Sequence, residues 1–475
     1  MKNLTLQFSL FLLGWLLLST QAWATHAAGG EILYEPIAGS TNRYHITTRL
    51  FRNAEGTAVD FAESISLYCA KNGCDVASAG SFVVQLTRTR RTDPDAIRCG
   101  TVVNDMHVYE GDVTLTPGRW LLSTWQENRS ISIRNIGQSE THSLHIESFL
   151  DNSSGLVNSS PKFTSYKLPY LSRNQAHQYS ASAFDIDGDS LVYQVVVPKE
   201  NRAALMQQYI CATEIAPYIT APNFTVDAAT GTLRSTSAAV ELGDYVFPIR
   251  VDEYRKLNSV WTKIGSVTRE QVYRAYNSSN LNPTFTGLTV NGNTTTQPLE
   301  QIIRVNPGQT VALTLTATDP DAGQALRFVS DVPDVVPGTT LQTLNATQAR
   351  LTWSVPSTLP LGRYRLTVGV ADNGCPTNAS EVRTITFLVT NQVLATAPRR
   401  PLLLSASPNP FQSQVSFQVA KPQPVVVLDG LGRVVAHLKS RPDGTVTWQP
   451  TAAVVPGLYF ARTADGKQLV RLVRE

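Results

Sequence analysis

The chain has 475 residues, a formal charge of +3 at neutral pH and a charged-residue share of 16%. Charge this small and this dispersed excludes a dedicated nucleic-acid binder, and the share lies well under the usual ~25%, as in extracellular β-structure. The first element in chain order is a positive start at Lys2, an apolar run over Leu10–Leu18 and the small-x-small site Ala22-Trp23-Ala24, which together read as a signal peptide cleaved between Ala24 and Thr25. The run is about half of the ~20 apolar residues needed to span a bilayer, and no later stretch reaches that length, so the mature chain is expected outside the cytoplasm with no transmembrane segment.

Residues 25–160 form a β-rich domain in this reading. Cys69, Cys74 and Cys99 fall within it, and an oxidising compartment permits one disulfide among the three, with the pair left open. Three sulfurs without a nearby fourth ligand do not complete a zinc site. Cys211 and Cys375 stand alone and read as small buried hydrophobes. The best helical stretch is NRAALMQQYICA, residues 201–212.

The middle of the chain repeats itself. SPKFTS at 160–165 leads through HQYSASAFDIDGDSLVYQ to GDYVFPIRVDEY, and NPTFTG at 282–287 leads through VALTLTATDPDAGQALRF to GRYRLTVGVADNG. In VALTLTATD, Val311, Leu313, Leu315 and Ala317 share one face, and in GRYRLTVGVAD, Tyr364, Leu366, Val368 and Val370 do the same: period two, hence half-buried antiparallel strands. Pro248 within GDYVFPIRVDEY predicts an edge strand or a bulge. The fold class is therefore all-β, built from tandem antiparallel β-sandwiches at 161–280 and 281–394. A linker at 395–402 leads to a small C-terminal β-sandwich at 403–475.

The two aspartate turns are the candidate site. Asp185, Asp187 and Asp189 alternate around Gly188, and closely spaced carboxylates suit a hard cation that wants six to eight oxygens. The EF-hand pattern fails, because Gly188 is fourth and Val196 twelfth where glycine belongs sixth and glutamate twelfth. The alternative is that each turn meets the later strand of its own repeat: Asp185, Asp187 and Asp189 with Asp252 and Glu253, and Asp319 and Asp321 with Asp372. Asp and Gly also form turns with no metal, since Asp caps its own backbone and Gly takes positive φ. The turn and VADNGCP elements resemble the DxD and A-x-D-x-G-x-P signatures of cadherin-like extracellular repeats, without an upstream L-D-R-E motif. That resemblance implies Ca2+ at domain junctions. Asp189-Ser190-Leu191 also resembles the D-S/T-aliphatic O-glycosylation acceptor of Bacteroidetes.

Nothing isolates a catalytic apparatus. No G-x-S-x-G occurs, no carboxylate pair stands apart in a cleft, and the seven histidines are scattered. A non-enzyme is expected. Trp120, Trp125, Trp261 and Trp353 could stack on sugar rings, which gives a carbohydrate-binding alternative; a hydrolase with an unrecognised site is the third class.

The tail alternates in short strands with turns at DGLG and ADGK. Its landmarks are Pro408, Asn409, Pro410 and Phe411, then Asp429 and Gly432, then Gly457 and Tyr459, then Gly466 and Lys467. In that order they resemble the type A C-terminal sorting domain of the type IX secretion system of Bacteroidetes. The resemblance implies passage across the outer membrane by the type IX secretion machinery, then release or attachment to surface lipopolysaccharide. The start THAAGGEILYEPIAGSTNRYHITTRLFRN is similar to the opening of gliding-motility-associated surface proteins, through His26, Gly29, Gly30, Glu31, Ile32, Arg49, Leu50, Phe51 and Arg52. The expected product is a secreted or surface-attached structural or adhesive protein, its repeats acting as a stalk, with glycans or other surface proteins as partners.

Overall fold

The computed structural model describes residues 27–391 and 402–475, apart from internal segments 54–59, 93–103, 202–210, 220–223, 237–239 and a few shorter ones. Ala24, Thr25, His26, Cys99, Lys467, most of the expected helix at 201–212 and linker residues 395–401 lie outside the described residues.

The chain is all-β. Helical elements among the described residues are one 3-10 turn, Ser139–Thr141, and one α turn, Val332–Val335. The alternation is realised as expected: Thr310–Thr318 buries Val311, Leu313, Leu315 and Ala317 with threonines between them, and Gly362–Ala371 buries Tyr364, Leu366, Val368 and Val370.

The N-terminal strands follow one another around a ring. In spatial order they are Ala27–Pro36, Arg43–Asn53, Asn104–Thr114, Phe82–Thr92, Ser64–Lys71, Arg119–Gln126 and Leu144–Asp151. The ring is closed from outside the expected domain. Strand Val260–Tyr276 pairs with Leu144–Asp151 through Gly265–Val267 and with Ala27–Pro36 through Glu270 and Gln271. A boundary at residue 160 would leave two long strand edges with unpaired backbone groups, and borrowing a strand from the first repeat covers both. The ring encloses Ile32, Ile46, Leu67, Leu86, Tyr109, Trp120 and Ile146.

The same 17-residue strand carries Gly243–Val246 and Ile249–Leu257 as its other partners. Pro248 breaks these two apart, so the expected bulge is a full interruption at Phe247-Pro248. Each sandwich has a tyrosine two residues after a glycine whose hydroxyl donates back to the carbonyl four residues upstream. The three bonds are Tyr245 to Glu241 at 2.9 Å, Tyr364 to Pro360 at 2.7 Å and Tyr459 to Val455 at 2.6 Å. This tyrosine corner belongs to immunoglobulin-type sandwiches.

The two repeats are not beads on a stalk. Residues up to Asn391 form one compact unit. The core of the second repeat, around Leu313, Leu351, Trp353, Leu366 and Phe387, also takes in Ala28, Phe51, Met106 and Val108 of the ring and Tyr166 and Phe184 of the first repeat. Hydrogen bonds reinforce the seam: Thr367 Oγ1 donates to Thr164 O at 2.6 Å, and Ser180 and Ser182 hydroxyls meet Thr384 Oγ1 at 2.8 and 2.9 Å. Apolar side chains on the outer faces of the sandwiches drive this side-by-side fusion, and the stalk expectation is corrected accordingly.

The cysteine expectations change as well. Cys74 is bonded to Cys211, 137 residues away, and Cys375 is exposed and disulfide-bonded, so neither late cysteine is a buried hydrophobe. Among the described residues Cys69 is the free thiol, because its place in Ser64–Lys71 turns it into the core, where burial pushes it up to about 12.

The second unit, Gln392–Glu475, packs its own core from Phe411, Val415, Phe417, Val427, Trp448, Tyr459 and Leu472. One sheet runs Leu402–Leu404, Gln468–Arg474, Gly457–Thr463, Pro424–Asp429, Val434–Lys439; the other runs Ala406–Ser407, Val415–Gln418, Thr445–Trp448.

Candidate metal centre

The 185–189 turn is held by its own backbone, Asp189 N donating to Asp185 Oδ1 at 3.0 Å. Gly188 sits at φ +80°, and a Cβ there would come within 2.8 Å of Pro360, so the turn lies directly on the tyrosine corner of the second repeat. Just before the turn, Phe184 packs on Tyr364 with ring centroids 5.4 Å apart. Just after it, Ser190–Val195 pairs with Ile249–Leu257, setting Leu191 opposite Glu253.

Period two then separates the two acids of RVDEY. Glu253 turns toward Asp185 and Asp189, whereas Asp252 takes the opposite face, where its carboxylate accepts from Lys263 Nζ at 2.6 Å and from Gln194 and Arg250. Asp252 is therefore removed from the ligand set. Asp187 is not among the converging acids: it accepts from Ser159 N at 2.6 Å and lies 3.8 Å from Arg255 Nη2. What remains is Asp185, Asp189 and Glu253, whose carboxylate oxygens lie within 4.8 Å of one another; among the described residues no other three acidic, His or Cys side chains converge so closely.

Two residues that the sequence reading missed complete the site. Arg255 grips Asp189 with two nitrogens, Nε at 2.7 Å from Oδ1, and its Nη2 donates to Asn158 Oδ1 at 2.7 Å. Asn158 Nδ2 in turn donates to Glu253 Oε2 at 2.7 Å. The signal for Asn158 was present: it stands three residues before Pro161, as Asn280 stands before Pro283. Space for the Glu253 carboxylate depends on Gly265, where a Cβ would fall 2.1 Å from Glu253 Oε2 and 2.4 Å from Tyr34 Oη.

Asp185 Oδ2 and Glu253 Oε1 are buried and receive no N–H or hydroxyl donor. Burial pushes Asp185 up to about 6 and Glu253 well above the usual carboxylate range, the proximity of Asp185 adding to the rise at Glu253. Both carboxyls therefore hold a proton more readily than ordinary carboxylates. A hard cation fits the same place, because two buried donor-free oxygens beside a third carboxylate are what such an ion replaces protons on.

The second turn is built alike but does not gather its acids. Asp321 N donates to Asp319 Oδ1 at 2.8 Å, and Asp321 Oδ2 accepts from Leu281 N at 2.7 Å. Asp372 accepts from Gly374 N, Ala379 N and the Asn280 amide.

The landmarks of the two resemblances serve the fold. Glu31, fully buried, pairs with Arg49 and Arg269, each at 2.7 Å, and the two guanidiniums lie over Tyr166 and Phe163 at 4.4 and 4.0 Å. Arg52 pairs with Asp105. In the second unit the Asn409 amide bridges to the last strand, donating to Arg471 O and accepting from Val473 N, both at 2.7 Å. Phe411 N donates to Val473 O, and its ring packs against Trp448. Asp429 grips Arg433, Gly432 and Gly466 lie in turns, and Tyr459 forms the corner after Gly457. Pro408 and Pro410 flank Asn409. Of the tryptophans, Trp120 and Trp353 are core, Trp125 is half-buried and stacked on Tyr68, and Trp261 is 60% exposed at a hairpin end.

No protein-family model matches the chain, and no curated protein matches it. Among solved structures, human protocadherin-24 EC1-2 aligns at 18% identity over 50% of this chain and 100% of that one, with a TM-score of 0.17. Human CDH23 EC21-23 aligns at 14% identity over 60% and 90%, TM-score 0.17, and Drosophila OTK extracellular domains 3-5 at 10% over 66% and 97%, TM-score 0.15. Superpositions this weak carry no argument about this protein; the sandwich class stands on its own sheets and tyrosine corners. No helix among the described residues is long and apolar enough to cross a membrane.

Proposed function

We propose that the protein is an exported structural or adhesive component of the cell surface, carried out by the type IX secretion machinery and either released or attached to lipopolysaccharide. The observation that carries this reading is the second unit. Residues 402–475 form a sandwich with its own core, in which Asn409 and Phe411 tie to the last strand, Asp429, Gly432 and Gly466 lie at turns and Tyr459 forms the corner, as suits a portable C-terminal signal. The body up to Asn391 is then the displayed part. It is one compact unit in which the acids of the two turns are engaged by backbone N–H groups, Asn amides and Arg255, which supports a non-catalytic role. Ca2+ is the proposed ion, held by Asp185, Asp189 and Glu253; it would supply the positive charge those buried oxygens lack, at the seam where the first repeat meets the second.

Deleting residues 403–475 should leave the protein in the periplasm, read by fractionation and surface proteolysis. Continued appearance outside the cell would refute the sorting role. Trp261 favours one second reading, a glycan-binding surface on the same body, because a large exposed aromatic stacks on sugar rings. Binding on a glycan array that Trp261→Ala abolishes would establish it; a blank array with retained surface display would leave the structural reading alone.

A further inference from the structure

The two aspartate turns share one hydrogen-bond frame and differ in what fills it. Ser159 N on Asp187 at 2.6 Å has its counterpart in Leu281 N on Asp321 at 2.7 Å. Both turns also bond their own backbone, Asp189 N to Asp185 Oδ1 four residues back and Asp321 N to Asp319 Oδ1 two residues back, and the Asn158 amide on Glu253 corresponds to the Asn280 amide on Asp372. The third position breaks the likeness. Where the first turn presents Asp189, the second has Gly323 and so no third carboxylate, and Gln324 Nε2 donates to Asn280 Oδ1 at 2.7 Å as Arg255 Nη2 does to Asn158 Oδ1.

We infer that the junction before the second repeat is closed by amides in place of a cation, so that only the first aspartate turn responds to calcium. This departs from the cadherin-like expectation for Asp319, Asp321 and Asp372 and rests in part on the proposed site at Asp185. Asn280 is 5% exposed, and its Nδ2 spans both oxygens of Asp372 at 3.2 and 3.1 Å. That is where a bridging ion would bind. Rotating the amide would set its oxygen against a carboxylate, so the donor orientation is fixed by charge. There is no room beside it, since a Cβ on Gly374 would lie within 2.5 Å of three atoms of the Asn280 amide. Gly374 is followed by the disulfide-bonded Cys375, a covalent tie on the same loop. The opposing feature is a pair of buried oxygens without donors, Asp319 Oδ2 and Gln324 Oε1, which set the result that would overturn the inference.

The test is Ca2+ stoichiometry on the full mature chain by calorimetry, with thermal melting in calcium and in chelator to confirm that each variant folds. Wild type should bind one ion, Asp185→Asn none and Asp319→Asn one. The double variant Asn280→Asp/Gln324→Glu should bind two and gain a calcium-dependent rise in Tm. Two ions in wild type, or a single ion lost in Asp319→Asn and kept in Asp185→Asn, would overturn the inference, as would a double variant that gains none. No ion in wild type but one in the double variant would refute the Asp185 reading and uphold amide closure. In Asp185→Asn, proteolysis within residues 281–391 should proceed at the same rate in calcium and in chelator; protection by calcium in that variant would count against amide closure.

Discussion

Replacing Asp185 by Asn tests the buried carboxyl pair directly. In the metal-free protein burial lifts Asp185 from its ordinary 3.8 to about 6. A carboxyl raised on folding contributes stability that is fully present below its unfolded pKa and lost as pH rises through the folded one, because the folded state then resists giving up its proton. The loss falls between about pH 4 and 6, and at about 1.4 kcal/mol per pH unit it reaches about 3 kcal/mol. Asn keeps the shape and removes the titration. In chelator the variant should match wild type near pH 4 and exceed it by about 3 kcal/mol at pH 8. With about 2.1 cal/mol/K of unfolding entropy per residue over the body, that is about 4 °C in Tm. Saturating calcium should reverse the order, since an ion at a thousand times its Kd adds about 4.1 kcal/mol to wild type alone. Differential scanning calorimetry over pH 4–8 measures both. Identical pH profiles for the two proteins in chelator would refute the raised Asp185 carboxyl.

Cys211→Ser removes a link across 137 residues and should cost about 4–5 kcal/mol in denaturant melts, with no further loss on adding reductant at that bond. Unchanged stability would show that the bridge is incidental. A fragment ending at residue 160 lacks the closing strand Val260–Tyr276 and should give poorly dispersed amide spectra, whereas the chain through 391 should give sharp ones; a well-folded short fragment would contradict ring closure. Glu31→Gln leaves two buried guanidiniums short of a counter-charge and should cost about 3–5 kcal/mol by urea titration. Tyr364→Phe deletes only the corner hydrogen bond and should cost about 1 kcal/mol in the same assay.

The sequence alone determined the local structure. Alternation in Thr310–Thr318 and Gly362–Ala371, the Gly-x-Tyr corners and the aspartate turns all follow from period two and from turn chemistry acting over a few residues. The repeat also marked the right neighbourhood for the site, pairing the Asp185 turn with the RVDEY strand. It could not say that Glu253 and not Asp252 faces the turn, because which acid of an adjacent pair points inward depends on register against Ser190–Val195. Nor could it find Arg255 or the amide donors, which reach the carboxylates from other segments. Only the tertiary structure decided that the first repeat lends a strand to close the N-terminal ring, that Cys74 meets Cys211, and that the two repeats fuse side by side. Those outcomes depend on which unpaired edges and apolar outer faces meet in space, and no window of sequence contains both partners.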